Sequence, residues 1–214
     1  MGSPDSEPGR SSIEGPLHRV EVRDFCIGRF PVTNEAYRAF LKDCDTVGQP
    51  EFWENEDFND PKQPVVGVTF DDAMKYCEWA GLRLPSEAEW EYACRAGTTG
   101  RYCNGNRIKD LSRVAWYSRG ARRRLRRVGE KAPNAFGLFD MHGNVWEWCA
   151  DDWHGAYDGA PVDASPWKDA PEGEERVLRG GSWFGNTADY LRSATRRPGL
   201  AGFGDFDIGF RCAL

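Results

Sequence analysis

The sequence predicts an α+β fold with few short strands, about three helices and much irregular loop. Two observations carry this expectation. Helical periodicity is confined to the first half of the chain, and from Thr98 onward Gly, Asn, Asp and Trp recur in short apolar bursts without a helical period. Helices followed by strands do not alternate as a parallel βαβ fold requires. With 214 residues, 40% of them hydrophobic, nine Trp and twelve Phe, the chain reads as one domain, residues 1–214, with a core of bulky rings.

Residues 18–33, HRVEVRDFCIGRFPVT, alternate and then turn apolar, which predicts one or two short strands. Thr33 caps a helix over residues 34–44 that carries Tyr37, Phe40 and Leu41 on one face. A Pro- and Asp-rich loop follows over residues 49–64. Residues 68–97 read as two helices with clear punctuation. Thr69 with Asp72, and Ser86 with Glu89, match the capping-box pattern, and Gly81 and Gly97 stop the two segments.

One charge run, SRGARRRLRRVGEK at 118–131, offers a contact to an acidic partner, a phosphate or nucleic acid. An exposed loop or hairpin tip is the preferred reading, because the chain carries a net charge of −6, which argues against a general nucleic-acid binder. No stretch has the length of a membrane-crossing helix, and the polar first sixteen residues contain no apolar signal core. The expectation is a soluble protein without membrane insertion, cytoplasmic by default.

Seven Cys include no C-x-x-C pair. Cys26, Cys77, Cys94 and Cys149 read as buried reduced thiols, and a disulfide involving Cys44 or Cys103 is left open.

Three stretches now line up in order: EGPLHRVEVRDFCIGRFPVTNEAYRAF, GLRLPSEAEWEYACRAG, and NAFGLFDMHGNVWEWCADDW with RVLRGGSW, LRSATR and IGFRCAL. Together they resemble the formylglycine-generating enzyme (sulfatase-modifying factor) family across nearly the whole chain. The resemblance implies a C-type-lectin-like fold. In catalytic members a pair of Cys follows GGS-[Trp/Tyr] by a few residues, and its thiolates bind Cu(I) and activate oxygen. Here that window runs from Phe184 to Leu191 without a Cys, and none lies between Cys149 and Cys212. Cys212 sits in the terminal stretch expected to close the fold. An iron-dependent branch of the family needs clustered His, whereas His18, His142 and His154 are far apart in sequence. The chain is therefore expected not to be an enzyme; the alternative is a metal-dependent oxidase or a remnant of one. The resemblance also implies a structural Ca²⁺ near GNVWEW, held by the side chains of Asn144 and Glu147 and the carbonyl of Val145. The competing reading makes Asn144 and Glu147 hydrogen-bonded braces. No other cofactor is required.

The tail has a compositional bias. Glu, Gln, Lys, Met and Trp make up 36 of the 214 residues, yet none occurs from Phe184 to Leu214. Uniform composition would place about five there. These are the five residues that an AAC or AAT codon cannot reach when only its adenines are replaced. Adenine-directed substitution marks the variable proteins of diversity-generating retroelements, a subset of which resembles this family, with variation between RGGSW and GFR. The resemblance makes residues 184–208 the variable ligand-binding region. The candidate positions are Phe184, Gly185, Asn186, Asp189, Tyr190, Thr195, Arg197, Gly199, Leu200, Gly202, Phe203, Asp205, Phe206 and Asp207, although Gly199 and Gly202 read equally well as turn glycines. Rings mixed with small polar residues suit recognition of a protein or other macromolecule. Trp183 and the GNVWEW aromatics are expected to form the scaffold, with Arg192 and Arg196 as anchors.

Overall fold

The computed structural model describes residues 1–118, 124–169, 175–185 and 187–214. Three regular helices stand where the punctuation places them: α1 (Asn34–Asp43), α2 (Phe70–Trp79) and α3 (Glu87–Arg95). A single turn, α4 (Ile108–Leu111), adds to them. Thr33 accepts the Ala36 N–H at the start of α1, and both capping boxes close reciprocally. Gly81 and Gly97 follow α2 and α3 at φ +67° and +85°, a region that strains any other residue.

Strands are short, as expected. β1 (Ala115–Trp116) pairs in parallel with β2 (His142–Gly143). The main sheet contains β3 (Trp146–Asp152), β4 (Glu175–Arg179), β5 (Arg196–Leu200) and β6 (Ile208–Gly209). Its order is β5-β4-β3-β6, antiparallel except for the β3–β6 pair. β5 is an edge strand, which tolerates the missing N–H of Pro198.

The two-residue period of β3 sorts its side chains between two cores. Trp146, Trp148 and Ala150 join Tyr37, Phe40, Phe70 and Tyr76 of α1 and α2, together with Leu178 and Phe210. Cys149 joins Trp90, Ala93 and Cys94 of α3, together with Val177. The sheet is thus covered by α1 and α2 on one face and by α3 on the other.

The one or two short strands expected within residues 18–33 do not form; only isolated bridges occur there, at Ile27 and Thr33. The segment instead exchanges isolated hydrogen bonds with the chain end: Gly28 N–H to Cys212 O, Val32 N–H to Phe210 O, and a reciprocal pair between Cys26 and Leu214. Alternation in sequence shows which faces are apolar, but it does not supply a neighbour in register. Cys26 is exposed, against the expectation that it belongs to the core, because its part of this segment runs along the surface. All seven Cys are free thiols, including Cys44 and Cys103. Of the Arg-rich stretch, residues 119–123 lie outside the described residues. Beyond them Leu125 is buried, and exposed Arg127 pairs with Asp60 at 2.6 Å.

Candidate functional site

The tail leaves β4 through Gly180 and Gly181, at φ +98° and +76°. A Cβ on Gly181 would stand 2.9 Å from the Tyr190 carbonyl oxygen, so only glycine permits this return of the chain. The turn seats Trp183 among Val66, Leu125 and Val145. Ser182 Oγ donates to Asp207 Oδ2 at 2.6 Å, tying the start of the tail to its end.

Between these fixed points the chain reaches solvent. Phe184, Gly185, Asp189 and Tyr190 are exposed, while Ala188 and Leu191 point inward from the short turn Ala188–Leu191. Phe184 stands edge-on to Phe206 at 4.9 Å, above Trp183 and Phe58. Further along, Leu200, Gly202 and Phe203 form a second exposed turn. Residues 184–208 hold four of the twelve exposed large apolar side chains among the described residues: Phe184, Tyr190, Leu200 and Phe203.

An ionic layer holds this surface from below. The register aligns Glu147 with Arg179 and Arg179 with Arg196 across β3, β4 and β5, and all three face α3. Arg196 makes a forked pair with Glu87 at 2.7 and 2.8 Å and also donates to the carbonyls of Ile13 and His154. Arg179 pairs with Glu91 and clasps the carbonyls of Ser193, Ala194 and Thr195. Arg211 forks onto Glu147, which also accepts the Trp90 indole N–H. Arg192 reaches the N-terminal segment, where it pairs with Glu14 and Glu7 and donates to Asp189 O. Arg192 and Arg196 are thus the anchors the sequence suggests. Their acceptors span most of the chain length, which is why sequence alone does not reveal them.

The candidate positions divide by burial. Arg197, Asp205 and Phe206 are half-buried at the rim of the exposed set. Thr195, Gly199 and Asp207 are inside, which corrects their placement on a free surface. Thr195 Oγ1 donates to Asp189 O, and Asp207 accepts from Ser182. A Cβ on Gly199 would meet Leu178 Cδ1 at 2.5 Å and Trp148 Cη2 at 2.7 Å, so this glycine serves packing. Gly202 has open space around it. Asn186 lies outside the described residues.

Asp189, Tyr190, Thr187 and Arg197 also line a groove of about 460 Å³. Its opposite wall is Gly9, Ser11, Ile13 and Glu14, an N-terminal contribution that no motif announced. Only the acidic residues of that polar segment, Glu7 and Glu14, could have hinted at it, as partners for the tail arginines.

Asn144 and Glu147 are engaged with different parts of the fold. Asn144, buried at φ +63°, brackets Arg126 by accepting its N–H and donating to its carbonyl. Glu147 is held by Arg211 and Trp90, and Val145 packs in the apolar cluster under Trp183. Among the described residues, no three or more His, Cys, Asp or Glu form a group suited to a metal ion. His142 is locked by Leu191 O and the Cys103 N–H, while His154 stacks on Trp167.

Burial sets the acidity of the interior thiols. Burial pushes the Cys94 thiol up to about 12, and burial followed by the Asp151 carboxylate raises Cys149 as well. A reactive thiolate or copper ligand needs the opposite shift. Cys77 and Cys212 face each other in the core at 3.6 Å.

A family model described as the sulfatase-modifying factor enzyme 1-like domain matches residues 1–214. The formylglycine-generating enzyme of Streptomyces coelicolor is 31% identical over 268 residues, covering all of this chain and 85% of the relative. Serine/threonine-protein kinase pkn1 of Chlamydia pneumoniae is 36% identical over 233 residues, covering 97% of this chain and 36% of the kinase. The chain thus spans about a third of the length of the first curated relatives it matches. Among solved structures, PvdO from Pseudomonas aeruginosa superposes with TM-score 0.88 at 34% identity, covering 100% of this chain and 89% of that one. Treponema denticola variable protein 1 superposes with TM-score 0.81 at 28% identity, covering 99% and 90%. The scaffold is therefore one shared by formylglycine-generating enzymes and retroelement variable proteins. Among the described residues no helix is long and apolar enough to cross a membrane.

Proposed function

This chain belongs to the sulfatase-modifying factor enzyme 1-like domain family, and on that premise we propose that it is a non-catalytic ligand-binding protein. Its C-terminal region, residues 184–208, is the diversified recognition surface of a retroelement variable protein, and its target is a protein or other macromolecule. One observation carries the reading. Where catalytic relatives keep their reactive Cys pair, this chain presents Phe184, Gly185, Asp189 and Tyr190 to solvent on a segment clamped at both ends, by Ser182–Asp207 and by Arg192–Glu14.

The physical logic is that of a replaceable loop on a rigid frame. Side chains that point into solvent vary without disturbing packing, while the residues that hold the backbone stay constant. The surface positions among the described residues are then Phe184, Gly185, Asp189, Tyr190, Leu200, Gly202 and Phe203, with Arg197, Asp205 and Phe206 at the rim; Asn186 stays a candidate variable position on its sequence alone. The adenine-directed composition of the tail supports the same assignment.

The test is genomic. Sequencing the locus across many isolates is expected to find a reverse transcriptase, a template repeat matching the tail, and sibling copies that differ at these surface positions while Trp183, Arg192, Arg196 and Arg211 stay unchanged. Variation spread evenly over the chain, or a locus without a template repeat, would refute it. The catalytic alternative draws on the likeness to formylglycine-generating enzymes. It predicts oxygen consumption with thiol peptides and a bound redox metal; neither is expected.

A further inference from the structure

Four arginines in and beneath the tail are neutralised by glutamates, and another, Arg101, pairs with Asp189. Arg179, Arg192, Arg196 and Arg211 are buried and paired with Glu91, Glu14, Glu87 and Glu147. Arg197 is different. Among the described residues its side chain has no hydrogen bond and no ion pair within 4 Å, and its Nε is shut off from both solvent and partner. Asp207 and Asp205 act on it only at longer range. The guanidinium lies over the Trp146 ring, 4.8 Å from its centroid. Because Arg197 follows Arg196 in a strand, it projects from the opposite face, away from the ionic layer. Arg179 and Arg101 also keep a buried Nε without a hydrogen bond, but both have a carboxylate partner; a partly buried guanidinium without one is costly, and an incoming acceptor relieves that cost.

We propose that Arg197 is the anion anchor of the recognition surface, and that the group it receives is the carboxylate of an Asp or Glu side chain of a protein partner. This rests on the reading of the tail as a recognition surface. A planar guanidinium accepts a carboxylate through two parallel N–H···O bonds, and Trp146 fixes the plane in which it does so. Asp205 and Asp207 beside it set an acidic field, while Asp189 and Glu14 in the groove are already paired with Arg101 and Arg192. One guanidinium in that field suits a singly charged carboxylate and repels a doubly charged phosphate.

The experiment uses the full chain, an acetyl-capped triglutamate peptide and, separately, inorganic phosphate, at constant ionic strength. The readouts are the binding isotherm and the NMR resonance of the Arg197 Nε–H. Saturable binding of the glutamate probe with a shift of that resonance is expected, weakened tenfold or more in Arg197→Gln. This variant loses no hydrogen bond, so it folds, and an unchanged spectrum elsewhere checks that it has. Equal binding by wild type and Arg197→Gln, saturation by phosphate alone, or no saturation at all would each overturn the proposal. A double variant, Phe184→Ser with Tyr190→Ser, separates the two readings. If it loses the probe while Arg197→Gln keeps it, the recognition surface stands and the anchor falls; if both keep it, both readings fall.

Discussion

The anchor of the tail is Arg192, and the substitution Arg192→Met measures what it holds. Its guanidinium donates to Glu14 Oε2 at 2.7 Å, to Glu14 Oε1, and to Glu7 Oε1 at 2.8 Å. Met keeps the bulk of the stem but leaves the Glu14 carboxylate, 1% exposed, with only the Ser3 hydroxyl and the Ser11 N–H. Removing one partner of a buried pair costs about 3–5 kcal/mol, most of it from the stranded charge. In a chain of this size that lowers the melting temperature by roughly 10 °C.

The pH dependence identifies the cause. Burial opposes ionisation of Glu14, yet the Arg192 and Ser3 hydrogen bonds outweigh it and hold the carboxyl below its usual range. A depressed carboxyl pKa contributes stability above its unfolded value of 4.5, and this is lost as pH falls through the folded value. Without Arg192 the burial contribution dominates and the shift reverses sign. The penalty of Arg192→Met should therefore be largest at pH 7.5 and shrink near pH 4, where Glu14 is protonated in both states. Urea unfolding followed by tryptophan fluorescence measures this, and Glu14→Gln in the Arg192→Met background should restore at least half of the loss. A cost under about 1 kcal/mol at pH 7.5, or one indifferent to both pH and Glu14→Gln, would refute the anchoring role.

Three further outcomes follow from particular contacts. Gly199→Ala drives a methyl against Leu178 and Trp148 and should cost about 1–3 kcal/mol, whereas Gly202→Ala, with nothing within 4 Å, should stay within about 0.5 kcal/mol in the same unfolding assay. Iodoacetamide at pH 7.5 should modify exposed Cys26 in the folded protein and reach Cys94 and Cys149 only after unfolding, as read by mass spectrometry; native labelling of either buried thiol would count against their inertness. Burial, followed by the neighbouring Glu87 carboxylate, raises Asp151 to about 7. The unfolded chain then releases this proton first, so stability should fall as pH rises from about 4 to about 7. That slope should flatten in Asp151→Asn, and an unchanged slope would contradict the assignment.

Local chemistry was legible because it depends on residues three or four apart. Thr69 with Asp72, and Ser86 with Glu89, close over one helical turn, so α2 and α3 begin where the spacing says. The motif order RGGSW to GFR likewise located the tail, and its composition pointed to its use. The extended segment at residues 18–33 misled, since the partners of Gly28 and Val32 are at the far end of the chain.

The sequence by itself determined the helices, the family frame and the missing Cys pair, for these rest on residue identity and short-range spacing. Only the tertiary structure decided which tail residues face solvent. Gly199 and Gly202 are the same residue three positions apart, yet one is pressed against Trp148 and the other is open. Arg196 and Arg197 are neighbours, yet one is locked to Glu87 and the other is unpaired. Those distinctions arise from strand alternation and from partners as distant as Glu87 and Trp146, and long-range contact of that kind is a property of the packed chain.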